Sequence, residues 1–167
     1  MVAIPPGTAQ SILEWSKENI PDEWLTGDGR ETEPHVTLKF GLVTPDLEDI
    51  EPFIPDETFK VRLGEIGRFT TNPDYDVIMI KVSGDDLHDL NHEITVSLEN
   101  EDEHPSYTPH CTLAYVLKGK GAELEGNKAF DGMEVEIDTI LWSSKNGDKE
   151  EIPIEKEKWM KDETETA

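Results

Sequence analysis

The sequence has little cysteine, little basic charge and no long apolar run. Cys111 is the single cysteine among 167 residues, so an internal disulfide and a cysteine-based zinc site are both excluded. No apolar stretch approaches the roughly 20 residues that a membrane-spanning helix needs, and residues 1–6 lack the features of a secretory signal. No glycine-rich phosphate-binding motif is present. We therefore expect a cytoplasmic protein without a membrane partner, a metal or a cofactor.

The strongest compositional feature is an excess of acidic residues. The chain holds 38 Asp and Glu against 15 Lys and Arg, a formal net charge of −23. Because binding to a phosphate backbone depends on Lys and Arg that release counterions, this charge argues against long nucleic acids. It argues equally against anionic lipid surfaces. A small phosphorylated ligand in one local pocket is compatible with it, and a salt-adapted host is a second explanation of the composition.

Apolar periodicity and turn residues predict an α+β protein with largely antiparallel strands. Residues 1–154 form a single predicted domain of two similar lobes, and residues 155–167 form an acidic C-terminal tail. Residues 22–34 are predicted as a loop, and an Asn-Gly turn at 145–148 is predicted to join the last two strands. The predicted helices are 8–19, 44–53 and 87–98, and the predicted strands are 35–42, 59–69, 76–83, 110–117, 133–143 and 150–154.

One pentapeptide pattern occurs twice, 75 residues apart. Residues 34–38 are Pro-His-Val-Thr-Leu, and residues 109–113 are Pro-His-Cys-Thr-Leu. The sequence has five His, 14 Thr and 13 Leu, so roughly 0.03 His-x-Thr-Leu matches are expected by chance. The repetition therefore indicates one functional motif in each lobe.

Both copies of the pattern are predicted on strands, where residues two apart share a face. His35 then lies beside Thr37, and His110 beside Thr112, while Cys111 points to the opposite layer and is not expected to be a nucleophile. If the lobes pack about a pseudo-twofold axis, two imidazoles and two hydroxyls converge across a cleft. One imidazole can accept a proton while the other donates one, and the hydroxyls can donate to phosphate oxygens. The set predicts metal-independent phosphoryl chemistry.

Two His-x-Thr motifs, one in each lobe, resemble the signature of the 2H phosphoesterase superfamily, and the resemblance covers residues 8–154. It implies a bilobed α+β fold with two mostly antiparallel sheets, helices outside and a central cleft. It also implies a phosphodiesterase in which His35, Thr37, His110 and Thr112 are catalytic. The flanks of the motifs look most like the phage-encoded group that contains the anti-CBASS nucleases, which linearise the cyclic oligonucleotide signals of antiphage defence.

Residues close to the motifs or at strand ends are candidates for binding substrate. Their lysines and arginine can offset phosphate charge, and their aromatic rings can stack on bases. Tyr115 is out of phase with His110 in a regular strand and is expected in the core. His88 and His92 have a helical spacing that can hold zinc, but the lack of a third ligand favours a solvated pair. The substrate-binding candidates are Lys39, Tyr107, Arg68, Phe69, Trp142 and Lys145.

Three functions stay open on sequence alone. The acidic surface and the motif flanks favour cleavage of cyclic di- or trinucleotides. The alternative enzyme is an RNA 2′,3′-cyclic phosphodiesterase of the 2′-5′ RNA ligase-like kind, although those enzymes usually place an arginine after one motif, where this chain has Leu117 and Lys118. The third is a nucleotide-sequestering binding protein on the same scaffold. The assignment of acid and base to the two histidines stays open, as does the oligomeric state.

Overall fold

Two helices and nine strands make up the described part of the chain. The computed structural model describes residues 1–38, 51–98, 107–143 and 149–154, and the predicted α+β fold is confirmed within them. The helices are α1 (Pro6–Asn19) and α2 (Asp85–Ser97). The strands are β1 (Val2–Ala3), β2 (Leu25–Arg30), β3 (His35–Val36), β4 (Phe59–Phe69), β5 (Tyr75–Ser83), β6 (His110–Leu117), β7 (Glu134–Ile137), β8 (Thr139–Ser143) and β9 (Lys149–Pro153).

The described strands form one antiparallel sheet. Its order is β7-β4-β5-β6-β3-β1-β8-β9, with β2 also paired to β6. The resemblance implies two mostly antiparallel sheets. Here the pairing of Val36 with Cys111 joins β7-β4-β5-β6, together with β2, to β3-β1-β8-β9 in one hydrogen-bonded network. The strands that meet at this junction, β3 and β6, are the two strands that begin with a motif histidine.

The sheet is strongly curved because a very short link connects its two halves. β7 pairs with β4 at one end of the order and β8 pairs with β1 near the other end, yet only Asp138 separates β7 from β8 along the chain. A flat sheet would place these two strands about 29 Å apart, whereas two residues of extended chain span only about 7 Å. The single strand predicted over 133–143 is therefore wrong, because the chain changes halves at Asp138.

The loop predicted over 22–34 is also wrong, because most of this segment pairs with β6. A short 3-10 turn at Asp22–Trp24 leads into β2, which runs antiparallel to β6. The glycines at 27 and 29 fall where the register between the two strands shifts, so they bulge the strand without ending it. The amide of Glu31 then donates to the carbonyl of Leu113 at 2.9 Å. Residues 25–36 thus follow one edge of β6 and carry His35 to the junction.

Each helix buries one stripe against the sheet. α1 begins at Pro6, two residues before the predicted start, because a proline in the first turn needs no hydrogen-bond partner for its nitrogen. α2 buries Leu87, Leu90 and Ile94, which have the predicted i, i+3, i+7 spacing. The α2 leucines join the same apolar cluster as Val36 on β3.

The two faces of the sheet at the β3–β6 junction differ in burial. Val36 and Cys111 are fully buried on one face, which we call the core face. The opposite face, which we call the open face, carries the half-buried side chains of both motifs. The functional groups of the two motifs therefore lie on one side of the sheet and the apolar core on the other.

Several predictions fall outside the described residues. They are Lys39, Lys145, the turn at 145–148, the tail at 155–167 and most of the helix at 44–53. Only the end of that predicted helix is described, and it contains a short 3-10 turn at Glu51–Phe53. Among the described residues, no helix is long and apolar enough to cross a membrane.

Candidate active site

Both motif histidines are oriented by the backbone in the same way. Nδ1 of His35 lies 2.8 Å from the carbonyl oxygen of Glu33, and Nδ1 of His110 lies 2.8 Å from the carbonyl oxygen of Thr108. A carbonyl oxygen can only accept, so each Nδ1 carries a proton and donates it. Nε2 is therefore the nitrogen through which each ring takes up or releases a proton. In both motifs the acceptor is the residue two positions earlier, so the two rings are set up alike.

The β3–β6 pairing brings the two motifs side by side. Val36 pairs with Cys111 in an antiparallel register. Continuing this register by one residue in each direction sets the histidine of each motif opposite the threonine of the other. Directly opposed residues have Cβ atoms about 4.5–5.5 Å apart. The four side chains on the open face, here called the HxT quartet, are His35, Thr37, His110 and Thr112.

The HxT quartet has the groups needed to transfer a phosphoryl group. In each half of the quartet, the register sets a histidine opposite a threonine of the other motif. Two imidazoles allow one to act as a base while the other acts as an acid in the same step. Two hydroxyls can donate hydrogen bonds to the non-bridging oxygens, where charge develops in the transition state.

The first motif is held by one side chain of α2 and one from the segment that precedes β6. The hydroxyl of Tyr107 donates to the backbone carbonyl of Thr37 at 2.7 Å. The side-chain amide of Asn91 donates to the backbone carbonyl of Leu38 at 2.7 Å. Burial raises the pKa of the Tyr107 hydroxyl, which keeps it protonated as a donor. The Tyr107 ring packs edge-on against His88. Tyr107 therefore anchors the first motif, which differs from the base-stacking position expected from sequence.

A known family matches most of the chain. The family model of the 2′-5′ RNA ligase superfamily matches residues 4–140, a span that contains both motifs of the HxT quartet. The chain belongs to the 2′-5′ RNA ligase superfamily. Membership indicates an enzyme of the 2H phosphoesterase type, such as a 2′-5′ RNA ligase or a cyclic phosphodiesterase.

A solved structure has a similar fold along most of the chain. The crystal structure of TT0787 of Thermus thermophilus is similar to this chain with a TM-score of 0.63. The similarity covers 92% of this chain and 95% of that chain at 17% sequence identity, so it concerns the fold alone. The curated protein sequences gave no match to the chain.

Phe69 is the accessory candidate that the structure brings to the HxT quartet. Its ring meets the His110 ring edge to face, with the centroids 4.7 Å apart and the planes at 88°. Such a contact restricts the imidazole and adds an apolar surface beside it.

Arg68 lies elsewhere than the sequence predicted. Its guanidinium pairs with Asp76 at 3.1 Å and with Glu125 at 3.1 Å, and its side chain is only 13% exposed. Lys118 also donates to Asp76, at 2.6 Å, and the amide of Gly119 donates to it at 2.8 Å. Burial alone would raise the pKa of Asp76, but these donors and the two cations hold it below its ordinary value. Arg68 is thus engaged in a buried ion cluster and is not part of the candidate site.

Trp142 is placed away from the HxT quartet by strand alternation. Ile140 on β8 pairs with Val2 on β1, and Val2 pairs in turn with Val36 on the core face. Trp142 is two residues from Ile140 and so shares the core face with it. The prediction that Trp142 lines the site is therefore not supported by the register. Lys39 and Lys145 lie outside the described residues.

Lys81 is a cation on the open face that the sequence analysis missed. It pairs with His110 in the β5–β6 register, and its Nζ donates to Glu65 at 2.9 Å. The bond and the charge of Lys81 lower the pKa of the Glu65 carboxyl. The sequence of β5 could have revealed it. Val77, Met79 and Lys81 alternate onto one face of the strand, and Lys81 is the basic residue among them.

Tyr115 is a second open-face residue that the sequence analysis placed in the core. Thr112 pairs with Met79 and Tyr115 pairs with Val77, so one extra residue of β6 is accommodated between them as a bulge. The bulge reverses the alternation and turns Tyr115 to the face of Thr112, where it is half-buried. Strict period-2 reasoning fails here because no glycine or proline marks the bulge.

The remaining reactive side chains of the described residues do not extend the site. Cys111 is fully buried on the core face, and burial raises the pKa of its thiol to about 12, which makes it a poor nucleophile. His88 and His92 lie on the exposed side of α2. Within the described ranges, no group of three or more His, Cys, Asp or Glu is arranged to hold a metal ion.

Proposed function

We propose that the protein is a metal-independent phosphodiesterase that cleaves cyclic di- or trinucleotides, with His35 and His110 as the acid and base. The observation that carries the proposal is the HxT quartet, in which two equivalently oriented imidazoles lie next to two hydroxyls. Histidine is the side chain that serves both proton-transfer roles near neutral pH. The role in phage defence evasion is part of the proposal and rests on the resemblance of the motif flanks.

The proposed chemistry has two steps. In the first, a ribose 2′-hydroxyl attacks the adjacent 3′-5′ phosphate while one imidazole Nε2 takes its proton. The bond from phosphorus to the 5′-oxygen breaks as the other imidazolium protonates that oxygen, which yields a 2′,3′-cyclic phosphate. In the second, water opens this ring and the two imidazoles exchange roles. The hydroxyls of Thr37 and Thr112 stabilise the charged phosphoryl oxygens in both steps.

The acidic composition supports a small substrate over a long one. A formal net charge of −23 repels a polyanion along its whole length. A cyclic dinucleotide has two phosphates, and one of them lies within the HxT quartet in the proposed complex.

A second candidate is the hydrolysis of RNA ends that carry a 2′,3′-cyclic phosphate. The match of residues 4–140 to the 2′-5′ RNA ligase superfamily favours it. The chemistry is the second step above, so the same four side chains serve. The two candidates differ in the substrate and in whether the first step occurs.

A cleavage panel in EDTA separates the candidates. The substrates are a 3′,3′-cyclic dinucleotide, a 2′,3′-cyclic dinucleotide, a cyclic trinucleotide and an RNA ending in a 2′,3′-cyclic phosphate. The controls are the His35→Ala/His110→Ala protein and the His92→Ala protein, which alters an exposed histidine of α2. The proposal predicts cleavage of at least one cyclic oligonucleotide by the wild type and by His92→Ala, and none by the double variant.

Other outcomes contradict the proposal in distinct ways. Cleavage of the RNA end alone selects the second candidate. Tight binding of a nucleotide that is recovered intact identifies a sequestering protein. Cleavage that survives in the double variant removes the two histidines from the chemistry.

A further inference from the structure

We propose that Tyr115 and Tyr75 form a second nucleobase-binding surface on the open face, so that the substrate has a nucleoside on each side of the cleaved phosphate. The inference rests on the proposed function and names a part of its site. Phe69 beside His110 supplies one aromatic surface, and the two tyrosines supply another on the opposite side of Val77.

The bulge in β6 places the Tyr115 ring near the catalytic group. Thr112 and Tyr115 are opposite Met79 and Val77 of β5, which share a face because they are two residues apart. Tyr115 therefore follows Thr112 on the open face, three residues or about 10 Å along the strand at most. If Thr112 binds a phosphate, the sugar attached to that phosphate can carry its base as far as the Tyr115 ring.

The two tyrosine rings support each other. Tyr75 is two residues from Val77 on β5 and so shares its face, and its ring meets the Tyr115 ring with centroids 5.5 Å apart and planes at 77°. Both side chains are half-buried. In an edge-to-face pair, the ring that offers its edge keeps its own faces uncovered by its partner. The backbone beneath the pair is fixed, because Thr26 donates its hydroxyl to the Tyr115 carbonyl at 3.2 Å.

The second aromatic surface lies in the same row of the sheet. Phe69 on β4 and Tyr115 on β6 both pair with Val77 on β5. Two strand spacings separate them, or about 10 Å at the backbone. The HxT quartet thus has one aromatic surface towards β4 and another towards the far end of β6.

The charge around Tyr115 suits a neutral base and disfavours a phosphate. Burial raises the pKa of the Tyr115 hydroxyl, and the nearby carboxylates of Glu31 and Asp28 add to the rise. Glu31 is fixed in place, because its Oε1 accepts from the amides of Thr32 and Glu33. A phosphate would be repelled here, whereas a base presents an uncharged face to the ring and N–H donors to a carboxylate.

Binding measurements with uncleavable probes test this surface. The two-base probe is the deoxy dinucleoside monophosphate dApdA, which lacks the attacking 2′-hydroxyl. The one-base probe is deoxyadenosine 3′-methyl phosphate, which has the same single charge. Isothermal titration calorimetry of both probes is carried out on the wild type and on Tyr115→Ala, Phe69→Ala, the double variant, and Tyr115→Phe. Thermal melting confirms that each variant folds, and Tyr75→Ala serves if Tyr115→Ala does not.

The inference predicts that the losses of binding free energy from Tyr115→Ala and Phe69→Ala add up for the two-base probe but not for the one-base probe. Tyr115→Ala and Phe69→Ala each weaken dApdA about ten-fold, the loss of one stacked base, and the double variant loses about a hundred-fold. For the one-base probe, the double variant loses only about ten-fold, because one base is available to stack. Tyr115→Phe binds both probes as the wild type does.

The outcomes against the inference differ from those against the function. If the wild type cleaves a nucleotide in the panel but Tyr115→Ala binds dApdA unchanged, or the double variant weakens both probes equally, the tyrosine pair has only a packing role and this inference alone fails. If the additive pattern is seen without any cleavage, the base surface stands and the catalytic proposal fails. If the wild type neither binds dApdA nor cleaves any substrate, both fail.

Discussion

The two motif strands present the same functional groups but are held in place differently. β6 is an eight-residue strand with β5 on one side and β3 and β2 on the other. β3 has only two residues, and the segment after it is held by side chains from α2 and from the segment that precedes β6. Tyr107 binds the carbonyl of Thr37, and Asn91 binds the carbonyl of Leu38.

This difference shows that equal chemistry does not need equal support. His35 and His110 make the same bond to the carbonyl two residues earlier, so local geometry orients both rings. The backbone ladder of β6 then fixes the second motif, whereas the first motif depends on contacts made over 53 to 70 residues of sequence. We therefore expect catalysis to depend equally on both motifs, and stability to depend on them unequally.

The largest effect is expected from removing either imidazole. His35→Ala and His110→Ala are each expected to lower the cleavage rate about 10³-fold, within the usual range for a general acid or base. The measurement is single-turnover cleavage of the substrate found in the panel, with His92→Ala as the matched control. A loss at one histidine that is a hundred-fold smaller than at the other would break the proposed equivalence.

The next effect is expected at the two hydroxyls. Thr37→Ala and Thr112→Ala are each expected to lower the rate about 10²-fold, as is seen when one donor to a developing oxyanion is removed. Thr→Ser at the same positions keeps a hydroxyl and should retain most of the activity. If the Ser variants lose as much as the Ala variants, the threonines act through packing and not through hydrogen bonding.

The ion cluster around Asp76 should affect the stability of the protein and leave the cleavage chemistry unchanged. Asp76→Asn is expected to lower the free energy of unfolding by roughly 2–3 kcal/mol at pH 7, less than for a fully buried pair because the Lys118 side chain is 43% exposed. The pKa of Asp76 is depressed in the folded state. Its contribution is therefore present above the ordinary aspartate pKa of about 3.9 and lost as the pH falls below it.

Urea unfolding from pH 7 to pH 3 measures the Asp76 effect. The difference between wild type and Asp76→Asn should shrink as the pH falls, and Asp131→Asn on the exposed surface is the control. A difference that is constant with pH would show that the carboxylate charge is not what stabilises this cluster.

The smallest effect is expected at Tyr107. Tyr107→Phe removes one hydrogen bond to the Thr37 carbonyl and should cost about 1 kcal/mol of stability with a several-fold loss in kcat. Because Tyr107 acts through Thr37, the variant should have little further effect on kcat in a Thr37→Ala background. Equal kcat losses in both backgrounds would mean that the tyrosine does not position that threonine.

The sequence predicted the parts of the fold that local pattern determines. Strands 59–69 and 110–117 match β4 and β6 in their bounds, because turn-forming residues precede and follow both runs. The segment 22–34 was missed because its glycines suggest a loop, although β6 supplies partners for its backbone. The change of halves at Asp138 was missed because one residue leaves no compositional signal.

The candidate site divides in the same way. The HxT quartet was predictable because, in a strand, the His and Thr of each motif share a face. The antiparallel register then sets the two motifs opposite each other. The positions of Arg68 and Tyr107 were not predictable, since each depends on partners that are distant in sequence or on the opposite face. Tyr115 depends on a bulge, which changes the face of every later residue in β6.

The central claim is that the two imidazoles act as one catalytic unit, and its most direct test is a double-mutant cycle at His35 and His110. Single-turnover cleavage in EDTA is measured for the wild type, for His35→Ala, for His110→Ala and for the double variant. Groups that act in one concerted step are not additive, so we predict that the double variant loses no more than about ten-fold beyond either single variant. Losses that multiply, or substantial activity in either single variant, would contradict the account.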